Sequence, residues 1–301
     1  MSKAQFLCLA FLLFFHSGYS QMDSLSLVPD KASWKSGNSV SQQLLVSNTN
    51  PAKKAPVYDL KPAVDIPVIA FGTLFTLYAT TKIYTKGAST EEEILNLKTS
   101  DIIPFDQWSV HPYSQSMDEF SYIPFDASFA FPLVMFLVKK DTRQDFWKLS
   151  FLYWEALSVT GIFGAGAPYF IDRYRPYAYT SETSMEQRQV QNAKNSAFSG
   201  HVEVIATSTF FIAKVYGDYY PGSKWVMYGF ASVATAGMAY LRIKGGMHFP
   251  SDVLIGAAIG SLSGILVPHF HKHKLLKNPN MSIMPFYKEG SKGFSFTLNL
   301  R

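Results

Sequence analysis

The sequence predicts an all-α protein: a six-helix bundle, embedded in a membrane and followed by a short C-terminal β-hairpin. Three observations carry this expectation. Six apolar stretches of helical length lie between residues 66 and 270. Charged residues are 16% of the 301, against about 25% in an average soluble domain, and aromatic residues equal them at 16%. Gly256, Gly260 and Gly264 recur every fourth residue, a spacing that lets helix backbones approach closely in membrane bundles. The same composition excludes a disordered chain, which has high charge and few aromatics. One cysteine, Cys8, allows neither an internal disulfide nor a cysteine-based zinc site. A net charge of +5 is too mild to imply nucleic acid. The mean hydropathy of +0.04 is high for a soluble protein and low for one made mostly of spans.

In chain order, residues 1–20 have the layout of a secretory signal peptide or signal anchor: Lys3, an apolar run from Phe6 to Phe15, then small and polar residues to Ser20. Residues 21–62 are rich in Ser, Asn and Lys and read as a loose exported arm. The helical domain is expected over 63–274. Its apolar segments run Ile66 to Tyr84, Phe120 to Val138, Trp147 to Phe163, His201 to Tyr216, Trp225 to Leu241 and Asp252 to Phe270. A bilayer span takes about 20 residues, so several only just qualify. Asp126 and Glu155 fall inside these segments and are expected to face the bundle interior or the site, because an unpaired charge in lipid is expensive. His269, His271 and His273 alternate in a basic stretch and read as a solvated, headgroup-facing end. In the 275–301 tail, two alternating runs around Glu289-Gly290 predict the hairpin.

Loop charges suggest an orientation. Lys139, Lys140, Arg143 and Lys148, with Lys272, Lys274 and Lys277, satisfy the positive-inside rule if they face the cytoplasm. The 85–119, 164–200 and 242–251 connections then face outward. A cleaved signal followed by six spans gives the reverse orientation, so the two inferences conflict.

The polar residues gather in those outward connections. Arg175 and Arg242 carry fork-shaped donor sets suited to a tetrahedral oxyanion. Ser199 and Gly200 precede a helix whose free N–H groups and dipole favour an anion. His248 and His201 can serve as nucleophile and general acid near neutral pH. Asp252, four residues after His248, is expected to accept that ring's second N–H and fix its tautomer.

These blocks resemble the type 2 phosphatidic acid phosphatase and vanadium haloperoxidase superfamily, whose signature is K-x6-R-P, P-S-G-H and S-R-x5-H-x3-D. Here the third block reads Leu241-Arg242, His248, Asp252 at full spacing; the second reads Phe198-Ser199-Gly200-His201; the first keeps Arg175-Pro176 but has Pro168 at the Lys position. The agreement covers about residues 66–270. The resemblance implies a metal-independent phosphatase acting on lipid phosphate monoesters or diphosphates. His248 would take the phosphoryl group, His201 would protonate the leaving oxygen and Asp252 would orient His248. Arg175, Arg242, Ser199 and Gly200 would cradle the phosphate, with Arg173 a candidate for the lost lysine charge. It further implies no metal and no cofactor, vanadate as an inhibitor, a membrane and a lipid phosphate as partners with no nucleic acid, and a cell-envelope location. That location is the inner membrane with an exported active site, or the periplasm. A soluble periplasmic acid phosphatase of the same superfamily and a catalytically weakened membrane binding protein are the alternatives. A vanadium haloperoxidase is disfavoured by the missing Lys.

Overall fold

The computed structural model describes residues 56–273, together with the backbone of two strands beyond them. The described chain is mostly helical. Its long helices are α1 (Pro62–Ile83), α2 (Gln115–Val138), α3 (Phe146–Phe170), α4 (Gly200–Tyr219), α5 (Lys224–Lys244) and α6 (Pro250–Phe270). They overlap the six apolar segments, and short helical turns fill the connections. The strands β1 (Met281–Lys288) and β2 (Ser291–Leu298) pair antiparallel, with Met281 opposite Leu298 and Lys288 opposite Ser291. The signal and most of the arm lie outside the described residues.

Helix starts and stops follow local chemistry. Pro62 and Pro250 occupy the first turns of α1 and α6, where a missing N–H costs nothing. Asp65 reaches back to accept from the Lys61 N–H at 2.6 Å, which satisfies an orphan donor and places an acid at the positive end of α1. Inside α2, Pro132 withholds the N–H that would pair with the Ser128 carbonyl. The Tyr153 hydroxyl of α3 donates to that carbonyl at 3.1 Å, so the defect becomes an interhelical contact.

α4 is the central helix, packed against α2, α3, α5 and α6. It is buried nearly all round, as expected of a helix enclosed by others. Against it α6 lies at backbone contact. A Cβ added at Gly256 would meet the Ser199 carbonyl at 2.8 Å, at Gly260 the Glu203 carbonyl at 2.1 Å, and at Gly264 the Thr207 carbonyl at 2.5 Å. The partners advance by four residues on both helices, so α4 and α6 run parallel. The same holds for α1 and α3, where Gly72 abuts Ser158 and Gly161 abuts Thr76. Hydroxyl pairs join α3 to α4: Thr160 with Thr207 at 2.8 Å, and Tyr153 with Ser208 at 2.8 Å.

The outer surface is apolar. Phe71, Leu74 and Tyr78 on α1, Ile123, Val134 and Leu137 on α2, and Leu254 and Leu262 on α6 are all exposed. Among the described residues, three helices (α1, α2 and α6) are long and apolar enough to cross a membrane. α3 and α4, which are not among the three, bury polar groups such as Glu155 and Thr160 on one and Glu203 and Thr207 on the other. Two side chains depart from expectation. Asp126 is exposed on the outward face of α2, because the buried seam of that helix passes through Ser121, Ser128 and Pro132 instead. His271 is buried, not solvated, because the chain folds back over it: Asp59 N–H donates to the His271 carbonyl at 2.9 Å.

Valine at Gly260 is expected to force α4 and α6 apart and to lower stability by about 3 kcal/mol, at the upper end of overpacking costs. Thermal midpoints in detergent measure this. Gly237→Ala, where an added Cβ meets nothing within 4 Å, leaves the midpoint unchanged or raises it.

Candidate active site

Because α4 and α6 are parallel, both N-termini face the same end of the bundle, and their dipoles add there. The loop after α3 and the last turn of α5 bring Arg175 and Arg242 to that end. The α5–α6 turn depends on Gly246, at φ 69, a conformation that side chains rarely adopt. A Cβ at this position would also meet the His111 and Pro112 carbonyls at 2.8 Å. This turn presents His248, which is buried.

The expected partner of His248 was Asp252, and the structure places a different one. Nδ1 lies 2.8 Å from the main-chain carbonyl of Ser196. A carbonyl only accepts, so Nδ1 carries the proton and Nε2 keeps a lone pair in the neutral ring. Asp252 acts one step further back. It accepts from the Ser196 hydroxyl at 2.7 Å, from the Phe249 N–H at 3.0 Å and from Arg173. It therefore fixes both the segment that supplies the carbonyl and the start of α6. Its own first-turn position commits it to the Phe249 N–H three residues back, which is why it does not reach the ring.

Nε2 of His248 faces Arg175 Nη1 at 3.4 Å. The Arg175 guanidinium is held by the Met247 carbonyl at 2.9 Å and by Asn192 through its carbonyl (2.8 Å) and Oδ1 (3.1 Å). Arg242, fully buried, donates from Nη1 to Asp118 Oδ1 at 2.6 Å and to Ser121 Oγ at 2.7 Å, while its Nε has no partner. Both arginines lie within electrostatic reach of both His201 and His248. His201, in the first turn of α4, stacks on Phe125 (centroids 4.2 Å apart) and meets the edge of Tyr122 at 4.8 Å; its Nε2 is buried without a partner. Ser199 caps the same helix, and its Oγ is likewise buried and unpartnered. A Cβ at Gly200 would meet nothing within 4 Å, so this helix start borders open space. Buried polar atoms are nearly always paired, and three of the unpaired ones among the described residues, Arg242 Nε, His201 Nε2 and Ser199 Oγ, belong to predicted site residues.

His248 is held neutral. Burial first, then the positive charges of Arg175 and Arg242, push its pKa well below the usual 6.5. The Ser196 carbonyl opposes this only in part.

Arg173 does not join this group. Its guanidinium pairs with Asp106 at 2.6 Å and with Asp252, donates to Ser251 Oγ at 3.0 Å and lies over the Phe249 ring at 4.6 Å. Two fully buried carboxylates hold it as a structural cation, so it does not replace the lost lysine charge. At the Lys position itself, Lys86 from the end of α1 donates to the Pro168 carbonyl and to Asp172 at 2.6 Å. Sequence reading missed Asp106, Asp118, Asn192 and Ser196. None is within a recognisable motif.

The PAP2 superfamily model matches residues 127–275. No curated protein matches the sequence. Among solved structures, the chain is similar to the first transmembrane PAP2 type phosphatidylglycerolphosphate phosphatase from Bacillus subtilis. The identity is 16% and the TM-score 0.38, over 71% of this chain and 98% of that one.

Replacing Arg173 by Gln leaves Asp106 and Asp252 buried without their cation. Breaking a buried pair costs about 3–5 kcal/mol, and the partly exposed Arg173 puts the expected loss near the lower figure. Denaturation midpoints in detergent check it; an unchanged midpoint contradicts the structural role.

Proposed function

Since residues 127–275 belong to the PAP2 superfamily, we propose that the protein is a phosphatase hydrolysing lipid phosphate monoesters or diphosphates through a phosphohistidine intermediate. The observation that carries the reading is the pairing of His248: Nδ1 on the Ser196 carbonyl, with the Nε2 lone pair directed at Arg175. A neutral imidazole held in that tautomer is a nucleophile prepared for phosphorus.

Arg175, Arg242, the Ser199 hydroxyl and the N–H groups at the start of α4 stabilise the charge on the equatorial oxygens. His248 Nε2 attacks in line, and the phosphorus–oxygen bond to the leaving group breaks. His201, whose pKa burial and the two arginines depress, becomes the acid once the bound phosphate offsets those positive charges, and it gives its Nε2 proton to that oxygen. Water then attacks the phosphohistidine, His201 takes its proton back, and inorganic phosphate leaves with His248 neutral again. The positive charge comes from two arginines anchored by Asp118 and Asn192, so the cradle keeps its shape as charge develops.

A lipid substrate is favoured by what flanks His201. Tyr122 touches its ring, and Phe120, Tyr122 and Ile123 on the same turns of α2 are exposed. The apolar outer face of α1, α2 and α6 supports a membrane location, with acyl chains lying along the helices and the headgroup at the site. In the inner membrane, this end of the bundle faces the exported side.

Phosphate release from lipid and water-soluble phosphates, with and without EDTA, tests the assignment. His248→Ala is expected to lower turnover of a lipid phosphate by at least about 1,000-fold while the thermal midpoint persists; full activity in that variant removes the proposal. The pH profile gives a second check. With its pKa depressed, His248 stays neutral through mildly acidic pH and is lost as a nucleophile only below its ordinary 6.5. The acid limb of kcat/KM therefore lies below pH 6.5, and an acid limb above it contradicts the assignment.

A further inference from the structure

Three helices contribute one polar side chain each to a second buried cluster, far from His248. Asp65 stands in the first turn of α1, Glu155 lies within α3, and His271 caps α6. All three are buried, and one ligating atom from each lies within 4.8 Å of the others. Nineteen residues separate Asp252 from His271 along α6, about 28 Å at the helical rise, so the cluster and the phosphatase site occupy opposite ends of the bundle.

The orientation of each group is fixed. His271 Nδ1 donates to the Val267 carbonyl at 2.8 Å, leaving Nε2 to face the two carboxylates. Nε2 lies 2.9 Å from Asp65 Oδ1 and 3.6 Å from Glu155 Oε2. The other Asp65 oxygen is occupied by the Lys61 N–H. Glu155 Oε2 is buried and has no hydrogen-bond partner. The adjacent cation, Lys61, places its Nζ on the Phe270 carbonyl at 3.4 Å.

A proton on Nε2 would serve Asp65 alone. It would leave Glu155 Oε2, which is buried, without a partner, a costly state for a polar group. One divalent cation serves all three atoms at once, and two carboxylates with a neutral imidazole balance its charge. Tetrahedral ligands at about 2.0–2.1 Å from a metal stand about 3.3 Å apart; the two separations from His271 Nε2 bracket that figure, and the two carboxylate oxygens lie within 4.8 Å of each other. The Val267 carbonyl supplies the outer hydrogen bond that orients a ligating histidine.

We propose that His271 Nε2, Asp65 Oδ1 and Glu155 Oε2 form a binding site for one first-row divalent metal ion that ties α1, α3 and α6 together at the end opposite the phosphatase site. One imidazole nitrogen with two carboxylate oxygens suits Zn²⁺ or Mn²⁺. The role is structural and independent of turnover, so binding is read without any assay of activity.

The test uses the tag-free, full-length chain in detergent, stripped with EDTA and titrated with Co²⁺ and Zn²⁺. Expected are one equivalent of Co²⁺ with visible absorption bands, displacement by Zn²⁺, and a thermal midpoint that rises with the metal. Glu155→Gln and Asp65→Asn should each weaken binding by tenfold or more, while His269→Gln, outside the cluster, leaves it unchanged. Zinc X-ray absorption on the wild-type chain should show a single imidazole, a readout that does not depend on any variant folding. No uptake of Co²⁺, Zn²⁺ or Mn²⁺, unimpaired binding by Glu155→Gln, or a coordination shell with no imidazole or with several overturns the proposal.

Discussion

α4 and α6 lie parallel with their backbones in contact, and the geometry of the site depends on this. Gly256, Gly260 and Gly264 lack the side chains that would hold the helices apart, so Ser199, Glu203 and Thr207 each receive one glycine. Parallel packing places both N-termini at one end, with Ser199 and His201 on one helix and Asp252 at the start of the other. The Ser199 N–H donates to the Asp252 carbonyl at 3.2 Å, joining the two starts directly. A wider helix spacing would separate the residue that carries the proposed acid from the loop that carries the proposed nucleophile.

Each arginine at this end has its own set of partners and a distinct task. Arg173 neutralises Asp106 and Asp252, and Asp252 in turn steadies Ser196 and the first turn of α6. Arg242 is aimed by Asp118, and Arg175 by Asn192 and the Met247 carbonyl. Arginine suits these positions because its flat guanidinium can hold a protein acceptor on one edge while leaving other N–H groups for a ligand. What distinguishes Arg173 from the other two is its partners: it donates to two buried carboxylates, whereas Arg175 meets His248 and Arg242 donates to a single carboxylate and a serine. At the far end, Asp65, Glu155 and His271 bring three buried polar side chains together without any arginine, and it is there that a metal ion is proposed.

The exterior obeys a different rule from the interior. Polar hydroxyls are turned inward to join helices, as Thr160 does with Thr207, while phenylalanines and leucines cover the outside. This inversion explains why an average hydropathy near zero coexists with membrane-capable helices. The polar residues are gathered in the core contacts and at the ends, so the mean conceals two separate populations.

Much was legible in the sequence because it depends on local spacing. Apolar composition and length located the long helices, and the four-residue glycine repeat marked a close helix contact. The intervals joining Arg242, His248 and Asp252 marked the site, since a short turn and one helix start hold them. Tertiary structure decided what depends on distant partners. The carbonyl that orients His248 belongs to Ser196, 52 residues away, and every residue has a carbonyl, so no residue type could signal it. Arg175 was marked by the Pro176 that follows it, but the place of Arg173 was open until Asp106, from another connection, folded against it. Likewise, Asp65 and His271 stand 206 positions apart, and only the closure of the bundle brings them within 2.9 Å. Sequence thus determined which chemical groups are present and which helices bear them, while packing determined which of them meet, because a side chain's chemistry is completed by neighbours that chain order does not specify.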